Sequence, residues 1–145
     1  DVWDRFYKKF RFSPSTSKFP GILEPVPSVT YFFGYDLWPE NDVDHFYNNM
    51  LKAFQTALHL KGRMYALDWQ HTCYWFYPHH VDGMWWVGLP DGDYAIFLAE
   101  DFSFGFFGHP WEATICVFGQ PLLEAFQKCP PHLFEKVVRR DGKPV

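Results

Sequence analysis

Two short polar clusters interrupt otherwise apolar stretches, and both join an imidazole to a carboxylate. The first is Asp68-Trp69-Gln70-His71. An aspartate hydrogen-bonded to an imidazole orients the ring and raises its basicity, as a general base requires. In an uninterrupted strand side chains alternate, so Asp68 and His71 would face opposite sides of the sheet. A bulge near Gln70 would bring them together. The simpler reading has Asp68 satisfying a backbone turn while His71 packs beside Trp69. The second cluster is His109-Pro110-Trp111-Glu112. Pro110 fixes its own φ and holds His109 extended, giving an ordered corner from which His109 and Glu112 could reach a common point. Asp68, His71, His109 and Glu112 together would supply two imidazoles and two carboxylates, an acid/base set or a metal site. Their spacing matches no zinc signature such as His-Glu-x-x-His, so no metal or other cofactor is expected. In the plainer reading Trp111 plugs the core, Glu112 pairs locally and His109 bonds to backbone.

Other chemistry finds less support. None of the five serines lies in Gly-x-Ser-x-Gly, and no phosphate-cradling glycine loop occurs. Cys73 would share a strand face with His71, but a buried inert thiol is the simpler reading. The three cysteines, Cys73, Cys116 and Cys129, form no Cys-x-x-Cys pair, which argues against a disulfide framework. Cys116, inside the apolar run 114–118, reads as a small core residue.

The chain's 145 residues are one domain's worth, and a single domain over 1–145 is expected. Aromatic residues make up 22% of it, large rigid side chains for a core and for a binding surface. The net charge of −4 is unevenly spread. Both chain ends are basic, while from Met64 to Gln127 there are eight Asp/Glu and no Lys or Arg. A stretch without cations cannot clamp phosphates through side chains, which disfavours nucleic-acid binding there. It can attract a cationic partner, or serve only solubility. No segment approaches the roughly 20 apolar residues that span a bilayer, so no membrane partner is expected. No signal-type apolar region opens the sequence, and the cytoplasm is the expected compartment.

The elements that would position these residues follow from periodicity. Val2, Trp3, Phe6, Tyr7 and Phe10 fit a short amphipathic helix, and the prolines 14, 20, 25 and 27 then impose an extended crossing. Residues 29–33 read as a strand. Residues 42–61 read as a long helix capped by Asn41 or Asp42, with Gly62 just past its end. Six strand candidates follow, at 64–70, 72–77, 84–88, 94–99, 104–107 and 114–118. A helix opens at Gly119-Gln120-Pro121 and runs to Lys128, and 133–140 fits either a helical face or an edge strand. The expected fold is α+β: a curved antiparallel meander of about five to seven strands with helices packed on one face.

Several segments carry a resemblance. They are Tyr65–His71 followed by Phe76-Tyr77-Pro78, Pro90 through Asp93, Ile96–Ala99, Phe107 through Cys116, Pro27–Tyr31 and Leu133-Phe134. Together they resemble an uncharacterised bacterial family, domain of unknown function twenty-seven sixteen, over nearly the whole chain. The resemblance implies a small bacterial cytoplasmic protein and brings no activity with it. Small acidic α+β proteins of this kind are also similar in style to the immunity proteins of bacterial toxin systems.

Two functions remain in view, and the residues do not decide whether the protein is an enzyme. The first is a protein-binding, immunity-like module that captures a basic partner, with Trp75, Trp85, Trp86, Asp91, Asp93 and Trp111 as its contact residues. The alternative is a small enzyme or small-molecule-binding protein with an aromatic-walled pocket at Asp68, His71, His109 and Glu112. The two signature clusters are further expected to lie near each other, joined through Trp69 and Trp111.

Overall fold

The computed structural model describes residues 1–34, 40–69, 72–81, 93–128, 130 and 136–145; of residues 40–43 it describes the backbone alone. Helix α1, Val2–Phe10, starts at Asp1, whose carboxylate accepts the Trp3 amide at 2.7 Å, and ends at Arg11 in the left-handed conformation. Such a cap contributes about 1 kcal/mol. After an extended strap come β1, Ser28–Phe32, and α2, Glu40–Ala57. Strands β2 (Met64–Asp68) and β3 (Tyr74–Phe76) form a hairpin, and β4 (Ala95–Ala99), β5 (Gly105–His109) and β6 (Thr114–Phe118) form a meander. Helix α3, Gln120–Lys128, precedes β7 (Lys136–Arg140) and β8 (Lys143–Pro144).

All the strands join one antiparallel sheet in the order β3-β2-β4-β5-β6-β1-β7-β8. The fold class is thus the α+β meander expected, with eight strands among the described residues instead of five to seven. The ambiguous C-terminal segment supplies a strand, because β1 offers Val29–Phe32 as a pairing edge. The strand expected at 84–88 lies outside the described residues. Helix α2 stops at Ala57, short of the expected 61, and Gly62 instead closes a turn by donating to the His59 carbonyl at 2.9 Å. A Cβ on Gly62 would stand 3.1 Å from the His59 carbonyl, a tight fit that favours glycine.

Each face of the sheet carries its own core. On one, Phe46, Met50 and Phe54 of α2 and Leu122 and Phe126 of α3 pack against Met64, Ala66, Phe97, Phe106, Ile115 and Val117. On the other, Phe6 and Phe10 of α1, with Phe12 and Ile22 of the strap, pack against Leu67, Ile96, Leu98, Phe107, Cys116 and Phe118. Helices α2 and α3 therefore share one face, and α1 lies on the opposite one. Strand alternation sorts the residues: positions 64, 66, 97 and 106 face α2, positions 67, 96, 98 and 107 face α1. Gly119 makes the β6–α3 corner at φ +91, where a Cβ would come 2.4 Å from the Ser103 carbonyl.

Candidate functional site

The two sequence clusters lie at the same end of the sheet. Asp68 pairs with Ala95 across β2 and β4, Ala95 pairs with Gly108 across β4 and β5, and His109 pairs with Thr114. Between the clusters stands Tyr94, fully buried, with Trp69 5.5 Å away on one side and Trp111 5.3 Å away on the other. The two indoles thus meet one phenol ring. The chemical groups divide differently. Asp68 has the parity of Met64 and Ala66 and belongs to the α2 face; His109 has the parity of Phe107 and belongs to the α1 face. One register places the chain segments together and the side chains on opposite sides. Gln70 and His71 lie outside the described residues.

On the α1 face a charged network fills the space beneath the strap. Glu112 accepts from Arg139 at 2.6 and 2.7 Å and from the Thr114 hydroxyl at 2.7 Å. The same guanidinium donates to Glu24 at 2.7 and 3.2 Å, and Glu24 also accepts the Thr30 hydroxyl at 2.7 Å. Arg139 enters because its strand pairs it with Thr30. Glu24 enters from the proline-rich strap and is 7% exposed. Planar guanidinium forks suit two carboxylates at once. Burial lifts the Glu112 carboxyl, but the Arg139 and Thr114 hydrogen bonds outweigh it and hold it below the usual carboxylate range. Burial disfavours the Arg139 charge, and the hydrogen bonds it donates to Glu112 and Glu24 more than restore it.

His109 sits beside this network, wholly buried. Its Nδ1 accepts the Glu112 amide at 3.2 Å, closing the Pro110 corner and placing the neutral ring's proton on Nε2. Around the ring stand Phe19 at 4.8 Å, Tyr94 at 4.9 Å and Trp111 at 6.1 Å between centroids. Gly21 lies on it so closely that a Cβ there would be 3.5 Å from Nε2. Among the described residues, no polar atom meets Nε2. Burial is the largest influence on the ring and holds its pKa down, to about 4. The ring is thus a neutral imidazole packed among aromatic rings and closed off from solvent. Among the described residues no group of three His, Cys, Asp or Glu could hold a metal ion. Burial likewise raises the Cys116 thiol pKa, as for an inert core residue.

The residues expected at a binding surface separate as well. Trp75 and Tyr74, on β3 at the sheet's edge among the described residues, are 55% and 44% exposed. The Arg63 guanidinium lies 4.9 Å from the Trp75 ring, and Tyr77 meets it edge-on at 5.7 Å. Asp93 spends a carboxylate oxygen on the Tyr94 amide at 2.9 Å. Trp111 packs into the cluster of rings around Tyr94. Trp85, Trp86 and Asp91 lie outside the described residues. Glu24, Thr114 and Arg139 were not apparent from the sequence; the one hint was a pair of arginines beside Val137-Val138 in a possible edge strand.

No helix among the described residues is long and apolar enough to cross a membrane. A family model described as a protein of unknown function (DUF2716) matches residues 1–123, ending within α3. The chain is similar to an uncharacterized protein, YxiI, of Bacillus subtilis (strain 168). The two are 37% identical over 146 residues, which cover 92% of this chain and 90% of that protein. No solved structure matches the chain.

Proposed function

The chain belongs to the DUF2716 family of proteins of unknown function, and on that premise we propose that it is a binding module for a basic protein partner. The observation that carries this reading is the exposure of Trp75 and Tyr74 on edge strand β3, within the stretch that has no Lys or Arg. Arg63, itself paired with Glu100, and Tyr77 brace the indole. A large aromatic side chain already held in place loses little freedom on binding, which is how hot spots gain their energy. The eight acids of residues 64–127, with no Lys or Arg among them, would steer a cationic partner and make its association salt-sensitive. The role is immunity-like, with a toxin domain as the fitting partner, and the cytoplasm is its setting; a thiol such as that of Cys116 suits a reducing compartment.

The test uses the immobilised chain and its Trp75→Ala variant as baits in a bacterial lysate. The wild-type bait should retain a stoichiometric basic protein at low salt and release it near about 1 M salt, where the Debye length falls to roughly 3 Å. The variant should retain little. A lysate without a stoichiometric partner at low salt, or with an acidic one, contradicts the reading.

A further inference from the structure

The far end of the sheet gathers five cations around one turn. Residues 100–104 connect β4 to β5, with Phe102 in the left-handed region at φ 63, a conformation unfavourable for a residue bearing a Cβ. The turn is tied down: the Phe102 amide donates to the Ala99 carbonyl at 2.8 Å, and the Ser103 amide to the Asp101 carboxylate at 3.0 Å. From α1, the Arg5 guanidinium lies 4.4 Å from the Phe102 ring centre, and the Lys9 ammonium donates to the Phe102 carbonyl at 3.4 Å. From the segment before β2, Arg63 pairs with Glu100. Of these groups Arg5, Arg63, Glu100 and Asp101 wall an open groove of about 630 Å³, lined also by Lys61, Tyr65 and Ser103. A smaller groove of about 360 Å³ shares Arg5 and Asp101 with it and runs along Lys8 and Lys9.

The two grooves together are lined by five cations and two acids, on a chain whose net charge is −4. Both acids are engaged, Glu100 by Arg63 and Asp101 by the Ser103 amide, so the surplus is positive. A concave surface with one sign of charge concentrates counter-ions. Its volume falls in the range of small-molecule sites, roughly 300–1,000 Å³. An extended nucleic-acid strand would need cations continuing well beyond the groove, and strands β4, β5 and β6, which run away from it, carry no Lys or Arg.

We propose that this groove binds a small organic phosphate of mononucleotide size, with Arg5 and Lys61 on the phosphate and Tyr65 against its ring. The site adjoins the Trp75 surface through Arg63 and Tyr65, but does not depend on a protein partner.

The experiment is an amide NMR titration with ATP and, separately, inorganic pyrophosphate at low salt, on wild type, Lys61→Glu and Arg5→Gln. Wild type should show saturable shifts confined to residues 61–65, 100–104 and α1, with ATP bound more tightly than pyrophosphate. Arg5→Gln should bind ATP about tenfold more weakly, a single lost charge-assisted contact, and Lys61→Glu, which adds a repulsive charge, more weakly still. Absence of saturable shifts to roughly 5 mM ATP, the millimolar limit of weak binding, overturns the proposal. So do shifts indifferent to both variants. Equal affinities for the two probes contradict the ring contact. Tighter binding of a duplex oligonucleotide, with shifts spreading beyond the groove, identifies a nucleic-acid surface and overturns it too.

Discussion

At one end of the sheet, Glu24, Arg139, Glu112, Thr30 and Thr114 share a closed set of hydrogen bonds beneath the strap, with His109 sealed beside them. At the other, Arg5, Lys61 and Arg63 line an open groove around the 100–104 turn. Both ends are rich in chemically capable side chains, and solvent access divides them. A buried charge is tolerable only when it is paired, so the carboxylates and the guanidinium of the closed end are committed to each other. The open end leaves its cations in water, where they remain available to a ligand. The histidine and glutamate that most resemble catalytic groups in the sequence thus fall at the end least able to meet a substrate.

Substitutions should reproduce the contrast, most strongly at Arg139. Arg139→Ala leaves the buried Glu24 and half-buried Glu112 carboxylates without their cation and should cost about 3 kcal/mol in urea unfolding. Lys61→Ala, at the open end, should stay within about 0.5 kcal/mol. A loss at Arg139 no larger than that at Lys61 would erase the distinction between the ends.

Acid should weaken the closed end next. The His109 ring in the folded protein protonates at about 4 against an ordinary 6.5, so between those values the unfolded chain holds the extra proton and stability falls as pH drops. The full difference is worth about 3 kcal/mol. The depressed Glu112 carboxyl adds stability that is present above the ordinary carboxylate pKa and is lost as pH falls through its folded value. Urea midpoints from pH 7 to 4.5 should decline in wild type and flatten in His109→Gln. Removing the ring altogether, in His109→Ala, orphans the Glu112 amide and should cost about 1–3 kcal/mol at pH 7, read from the same unfolding curves. The smallest stability effect belongs to Trp75→Ala, within about 0.5 kcal/mol by thermal melting, although partner capture should disappear with it.

Much of this architecture was legible in the sequence. Helix α2 and the β4–β6 meander follow from apolar spacing, because each buries a face whose period its own residues set. Strand β7 did not, since Val137-Val138-Arg139-Arg140 fits two periods and pairing with distant β1 decides between them. The His109 corner was legible for the same local reason: Pro110 and the three-residue reach from Glu112 are written side by side. Its partners were not, because Glu24 and Arg139 come from opposite ends of the chain. Alternation alone separated Asp68 from His71 in an uninterrupted strand; separating Asp68 from His109 needed the register through Ala95. The cations around Phe102 converge only once α1 lies across the β4–β5 turn, which no spacing announces.

The central claim is that His109 holds the fold together and carries no proton chemistry, and an NMR titration of its imidazole tests that directly. The ring should remain neutral, with its proton on Nε2 and its Nδ1 bonded to the Glu112 amide, until pH approaches about 4. A ring that titrates near 6.5 in the native protein, with coupled shifts at Glu112 and Arg139, would contradict the account and return the closed end to candidacy as a reactive site.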